Sequence, residues 1–392
     1  MKKIISGLMV SSMMLTTIAP IYAVDQSVLE IDTNMVIESS INENQVEDHQ
    51  ENILTYEDAL EKALAQNHDY RKLETTIDQT TEIEKNLADM HRFTPIANDQ
   101  NADAGAIGLL MNRKQTEIKK KMAEKQKEVI QDMISYKVRT EYDNIVKKLK
   151  EIEVQKKMVE HAEKEMNMLS TKEMVGSSSN YDYEVQRDKV LEERQKIQTL
   201  EKELNEAYSK LNATMGNKEN DRYLVNLKIA LDPIEEMDIE SYAKKVMGRH
   251  PAIWNQEQQI KINELAVSLY VFYNPGQPQY NPADPYEVRE MEVKKSEIEL
   301  TDLKEKIQES IFEMHHKMKQ LESQYKMLET MREKSVKDAN MARLMYNAGM
   351  GIELDAQKAE LALITLDNKM DEIAIGYEQL KLLFEKPWIT GQ

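Results

Sequence analysis

Four stretches of this chain carry apolar residues at alternating steps of three and four, and that spacing sets the fold class. The first holds Tyr142, Ile145, Leu149, Ile152, Val159, Ala162, Met166 and Leu169. The second holds Ile197, Leu200, Leu204, Ala207 and Leu211. The third holds Ile307, Ile311, Met314, Met318, Leu321, Tyr325 and Leu328, and the fourth Leu366, Met370, Ile373, Tyr377, Leu380 and Phe384. Such spacing lays one narrow apolar stripe along each helix, and stripes of this kind pack as knobs into holes. Charged residues fill most remaining positions. The composition agrees: 31% charged, 6% aromatic, with only 11 Gly and 9 Pro in 392 residues, it is poor in turns and rich in helix formers. The expected class is all-α, built of long antiparallel coiled-coil hairpins.

Several kinds of chemistry are excluded at once. Cysteine is absent, which rules out disulfides, thiolate metal sites, a cysteine nucleophile and a lipid-anchored N-terminal Cys. The net charge of -18 repels phosphate backbones, so nucleic acid is not an expected partner. No nucleophile elbow, phosphate loop or dinucleotide fingerprint occurs, so the chain reads as no enzyme and calls for no cofactor. His315 and His316, beside Glu313, point in different directions along a helix and read as a solvated face rather than a metal site. His161 and Glu165 have metal-ligand spacing but read as a surface pair. The 25 Met read as coiled-coil filler, since Met166, Met314, Met318 and Met370 sit in heptad phase.

Residues 1–23 look like an export signal. Lys2 and Lys3 precede an apolar stretch from Ile4 to Ile18, and Ala23 offers a small residue for cleavage. No later stretch is apolar for the ~20 residues that a membrane helix needs. The chain is therefore expected to be exported to the cell envelope. Residues 24–52 carry Asp25, Glu30, Asp32, Glu38, Glu43, Glu47, Asp48 and Glu51 but no Lys or Arg, as an acidic disordered linker would.

The rest of the chain looks built twice. Val175-Gly176 through Asp182 and Ala348-Gly349 through Asp355 each place Gly six residues before Asp between two helical stretches. Ala59 to Asp69 has a counterpart in Tyr242 to Pro251. Each Gly can end a helix in the left-handed conformation, and each Asp can cap the returning helix. Thr55 to Asp58 reads as a capping box, and Asp238 as a further cap. The expected outgoing helices, 112–175 and 286–348, are each about 95 Å long. The returning helices (182–215 and 353–386) and the unpaired ones (55–92 and 238–272) are about half that. Two half-length helices stacked end to end match one long one, so each chain supplies four helical strands. The expected units are a first repeat over 53–216, a small mixed equatorial patch over 217–236, a second repeat over 237–386 and a tail over 387–392.

These features resemble the TolC family of outer-membrane efflux components over about residues 53–386. The resemblance rests on the repeated Gly–Asp tip and on the opening motif Leu54-Thr55-Tyr56-Glu57-Asp58-Ala59-Leu60, continuing to Asn67. It implies a homotrimer whose three duplicated chains form a twelve-strand α-helical tunnel. It also implies a periplasmic-type adaptor docked on the hairpin tips and an inner-membrane pump as the source of substrate. By position, Val175, Gly176, Ala348 and Gly349 correspond to the adaptor-docking grooves. Asp355 corresponds to a pore-facing carboxylate, with Lys358 at the next turn where the family has a second one. Tyr346 and Asp182 correspond to partners that hold a closed entrance, while the accompanying Arg position is Gly351.

One departure concerns the β-barrel that such tunnels continue into. Its strands would emerge between Phe93 and Leu110 and between Tyr273 and Tyr286. A membrane-crossing pair needs two runs of ~9–11 alternating residues. Neither segment alternates, and the second contains Pro275, Pro278, Pro282 and Pro285. The expectation is a tunnel without its barrel, standing in the outer membrane and periplasm of a two-membrane cell or in the wall zone of a single-membrane one. A reading of another class is an exported structural or adhesive coiled coil with no conducting role.

Overall fold

The computed structural model describes residues 53–92, 100–225, 229–270, 272, 275 and 282–390. The expected signal peptide and acidic linker lie outside them. All that follows concerns the compact unit Glu51–Gln392. In chain order its elements are β1 (Ile53–Leu54), α1 (Tyr56–Gln66), α2 (His68–Arg92), α3 (Gln100–Met174), α4 (Asn180–Met215), β2 (Leu224–Val225), α5 (Ile239–Met247), α6 (Pro251–Ser268), α7 (Tyr286–Asn347) and α8 (Glu353–Glu385). A 3₁₀ turn over Pro387–Thr390 follows. The same order of two short helices, one long and one intermediate occurs twice, and the architecture is the expected all-α one.

Local chemistry sets the boundaries. Thr55 caps α1: its Oγ1 accepts the Asp58 N–H at 3.2 Å while its hydroxyl donates to Asp58 Oδ2 at 2.7 Å. Asp238 caps α5 through the Glu240 N–H. Two expected single helices are each split. Asn67 halts the first, and its Oδ1 accepts the Tyr70 N–H at 2.9 Å to start α2. Pro251 splits the second, sitting at the first position of α6, where its missing N–H costs nothing. His250 caps that helix, Nδ1 accepting the Ala252 N–H at 3.3 Å. Burial alone pulls its imidazole down to about 4, so the ring is neutral and able to accept. The first long helix begins at Gln100 rather than near 112; its 75 residues span about 110 Å.

The four seams read from the sequence are the ones that pack. Tyr142, Ile145, Leu211, Ile307, Ile311, Met318 and Tyr377 are fully buried or nearly so. One core gathers α1, α3 and α4 around Tyr142 and Leu211, and a second gathers α5, α7 and α8 around Ile311 and Phe384. Burying each such side chain stabilises by roughly 1.5–3 kcal/mol. Towards the hairpin tips the helices stand side by side in the order α4–α3–α8–α7; at the other end α2 flanks α3, and α6 lies between α3 and α7. Ion pairs stitch the row together: Glu203 of α4 to Lys148, Lys148 to Glu151, Lys147 to Glu372 of α8, and Lys150 to Asp371. Among the described residues α4 and α7 share no packed face, so both edges of the row are free.

The equatorial patch is smaller than a mixed domain and recruits the segment just before α1. β1 pairs with β2 in parallel, Ile53 opposite Leu224 and Leu54 opposite Val225. Helix side chains satisfy the irregular backbone. Asn212 Nδ2 donates to the carbonyls of Glu219 (3.2 Å) and Asp221 (2.9 Å), Tyr208 to that of Tyr223 (2.9 Å) and Tyr142 to that of Leu54 (3.0 Å). The expected tail is packed through residue 390. Trp388 Nε1 donates to Asp132 Oδ2 at 2.8 Å, and Lys386 pairs with Asp132 Oδ1 at 2.6 Å.

The segments that would hold barrel strands are short. Residues 100–110 are the first turns of α3. Residues 93–99 lie outside the described residues, as do most of 271–281. The lengths left between helices, 93–99 and 269–285, fall below the roughly 18–22 residues that two crossing strands need before any turn.

Candidate docking tips

Two helical hairpins turn over at matched tips. At the first, Gly176 takes φ +72°, the left-handed region. Its N–H bonds the Glu173 carbonyl at 2.8 Å, and Ser177 N–H reaches back to Lys172 at 2.8 Å. At the second, Gly349 also takes φ +72°, its N–H bonding Tyr346 at 2.9 Å and Met350 N–H bonding Met345 at 2.9 Å. Both are Schellman closures, in which the orphan carbonyls of the last turn are satisfied by the two residues past it. A Cβ built at either glycine meets nothing within 4 Å. What requires glycine is therefore the backbone angle, and the space beside each turn is open.

The returning helices start differently from expectation. Asp182 is not the cap of α4. Ser179 is, accepting the Asp182 N–H at 3.1 Å, while Asp182 Oδ2 accepts the Ser179 N–H at 3.2 Å and its hydroxyl at 2.7 Å. This reciprocal capping box holds the Asp182 carboxyl below its usual range, the Ser179 side chain contributing most. Asp355 is not a cap either: Ile352 holds that position with no side-chain bond, and Asp355 stands exposed in the first turn of α8. Its charge still favours the helix N-terminus. Lys358 is exposed on the next turn.

The entrance residues Asp182, Tyr346, Asp355 and Lys358 do not meet within one chain. Among the described contacts Asp182 bonds only to Ser178 and Ser179, and Tyr346 is 38% exposed on α7. The link between the two hairpins nearest the tips is Lys164 to Glu353 at 3.7 Å, which sequence inspection missed because it joins helices far apart in the chain. The tips also expose apolar side chains: Met174 (79%), Val175 (73%), Tyr181 (75%), Met350 (77%) and Ile352 (50%). Ala348 is exposed beside them.

No group of three or more His, Asp or Glu able to hold a metal occurs among the described residues. His315 leans towards Phe384 while His316 faces out, as their adjacency required. His161 departs from expectation: it is half-buried rather than on the surface, and Glu165 accepts from Gln186 at 2.9 Å. No described helix is long and apolar enough to cross a membrane.

No protein-family model matches the sequence. No curated protein matches it either. Solved structures do. CusC, described in terms of transmembrane channel formation, aligns with a TM-score of 0.64 at 12% identity over 85% of this chain and 91% of its own. The outer-membrane channel OprN aligns at 0.62 with 11% identity over 86% and 90%. The Campylobacter jejuni outer membrane channel CmeC aligns at 0.60 with 12% identity over 84% and 85%. All three are described as channels, none as an enzyme. Taken with the twice-run hairpin order and the paired glycine tips, these alignments give the chain the fold of these outer-membrane channels, the all-α fold that the TolC-family resemblance implied.

Proposed function

We propose that this chain is the conduit of an export assembly in the cell envelope. Three copies close edge to edge into a twelve-strand helical tunnel, an adaptor seats on the glycine tips, and a partner pump supplies energy and cargo. The observation that carries the reading is the free edge of α7. Val288, Met291 and Ile298 near its start and Met327, Met331 and Met341 nearer the tip are exposed on the face away from the core, two apolar patches with exposed Asp302, Glu305, Glu309 and Glu313 between them. Two exposed apolar patches on one face of a long edge helix call for another helix against that edge. The free edge of α4 and α2 stands at the other side of the row, so identical copies can repeat the contact around an axis and close.

Sedimentation of the mature chain tests closure: a trimer is expected, and a monomer at micromolar concentration would remove the tunnel and favour a spacer coiled coil. Docking is tested separately. Gly176→Arg and Gly349→Arg should abolish adaptor capture while helicity and trimer mass stay unchanged; capture surviving in both variants would take the tips out of the docking role.

A further inference from the structure

We propose that Met174 and Met350 are oxidation sites that switch the hairpin tips from apolar to polar. They are the two most exposed large apolar side chains of the described residues, at 79% and 77%. Each lies within two residues of a tip glycine, one on each hairpin. The chain has no cysteine, so thioethers are its only sulfur, and no thiol competes for an oxidant. Four methionines are shielded in the core, Met215 at 4%, Met314 at 7%, Met318 at 0% and Met370 at 9%, while Met291 (64%), Met90 (60%) and Met345 (47%) are exposed to a lesser degree than the tip pair. Filler therefore describes part of the methionine complement and not these two.

The chemistry needs a hydroperoxide. The sulfur lone pair attacks the terminal peroxide oxygen, the O–O bond breaks, and the sulfur keeps the oxygen as a sulfoxide. Sulfur loses two electrons; the peroxide is reduced to water or, for an organic peroxide, to the alcohol. The product replaces a flexible apolar end with a strongly polar one, and dedicated reductases reverse it. At a tip whose neighbours are Val175 and Ile352, that removes apolar surface at the point of contact. This regulatory consequence rests on the docking reading; the modification itself does not.

The test is a hydrogen peroxide time course on the folded mature chain, read by peptide mass spectrometry. Met174 and Met350 should gain oxygen at least fivefold faster than Met314 and Met318, with helicity unchanged throughout. A ratio below fivefold, or loss of helicity in step with oxidation, overturns the proposal. Met327, Met331 and Met341 report separately on assembly: protected like Met314 and Met318 in a closed trimer, oxidised at rates between those and the tips in a monomer. Hydrophobic-interaction chromatography reads the switch. Peroxide-treated wild type should elute earlier, and Met174→Leu/Met350→Leu, which keeps the less exposed Met90, Met291 and Met345, should shift by less than half as much; an equal shift in that double variant overturns the switch. If adaptor capture survives Gly176→Arg and Gly349→Arg, the docking reading falls while the oxidation rates still judge the modification.

Discussion

Replacing Tyr377 with Phe isolates the bond that seats the equatorial linker on the second hairpin. The Tyr377 side chain is fully buried, its hydroxyl accepting the Ile234 N–H at 2.8 Å and donating to Glu322 Oε1 at 2.8 Å. Phe keeps the ring, so no cavity opens, and the loss comes from two groups deprived of a partner. A neutral backbone donor left unpaired costs about 1 kcal/mol, and a bond to a carboxylate contributes about 1.5–3 kcal/mol. Glu322 keeps Lys319 at 2.8 Å on its other oxygen and is partly reached by water, which discounts the second figure. The net expectation is a loss of about 2 kcal/mol. At an unfolding entropy of roughly 2.1 cal/mol/K per residue for a unit of this length, the midpoint falls by roughly 3 °C. The assay is thermal unfolding followed by circular dichroism at one fixed protein concentration, because assembly shifts apparent stability. Tyr242→Phe is the control: its hydroxyl reaches the Phe384 carbonyl only at 3.4 Å, and its ring keeps its stack on Phe384 at 4.5 Å. That variant should lose less than about 0.5 kcal/mol. If Tyr377→Phe were equally mild, water would be replacing the hydroxyl and the linker would not be sealed against α8.

Other expectations follow from the same contacts. Ser179→Ala removes the cap of α4 and should cost about 1 kcal/mol, seen as faster amide exchange over 180–183. The Asp182 half of that box is strengthened by ionisation: its folded pKa is depressed, so the protection is present above the unfolded value and is lost as pH falls through the folded one. His250 is held neutral, with its folded value at about 4 against an ordinary 6.5. Protons therefore favour the unfolded chain, and stability should decline as pH drops from about 6.5 to about 4; His250→Asn should flatten that window in acid titrations of the melting point. Asp132→Ala should free the C-terminal turn, shifting Trp388 fluorescence to the red in a Trp254→Phe background, with an unshifted spectrum refuting the clamp.

The long helices were legible because their stability comes from stripes, and stripes are written in residue spacing. Every heptad position quoted for α3, α4, α7 and α8 proved buried or half-buried. The tip glycines were legible too, since a left-handed angle leaves few alternatives to Gly. What escaped was decided by competition among neighbours. Ser179 and Asp182 can both cap a helix, and only the backbone path assigns Ser179 the cap and Asp182 the reciprocal bond. Asn67 could sit in a helix interior, yet its side chain competes for the Tyr70 amide and splits the helix in two. Contacts across the row, such as Lys164 with Glu353 or Asp132 with Trp388, join residues far apart in the chain and leave no periodic trace. The tip exposures of Met174 and Met350 were hidden by a general rule about methionine that holds for Met318 and fails where the helices end.

The cross-links between α3 and α8 also fix how far each hairpin reaches. Lys150 lies level with Asp371 and Asp143 with Gln379, yet α3 runs on to Met174 while α8 begins at Glu353. Counted along the axes from those rungs, the first hairpin overhangs the second by about 7–9 Å. In a ring of three such chains the mouth would be notched, with long and short teeth alternating. A docking protein would meet two unequal sockets, and each could be deepened or blunted by shortening one hairpin a turn at a time.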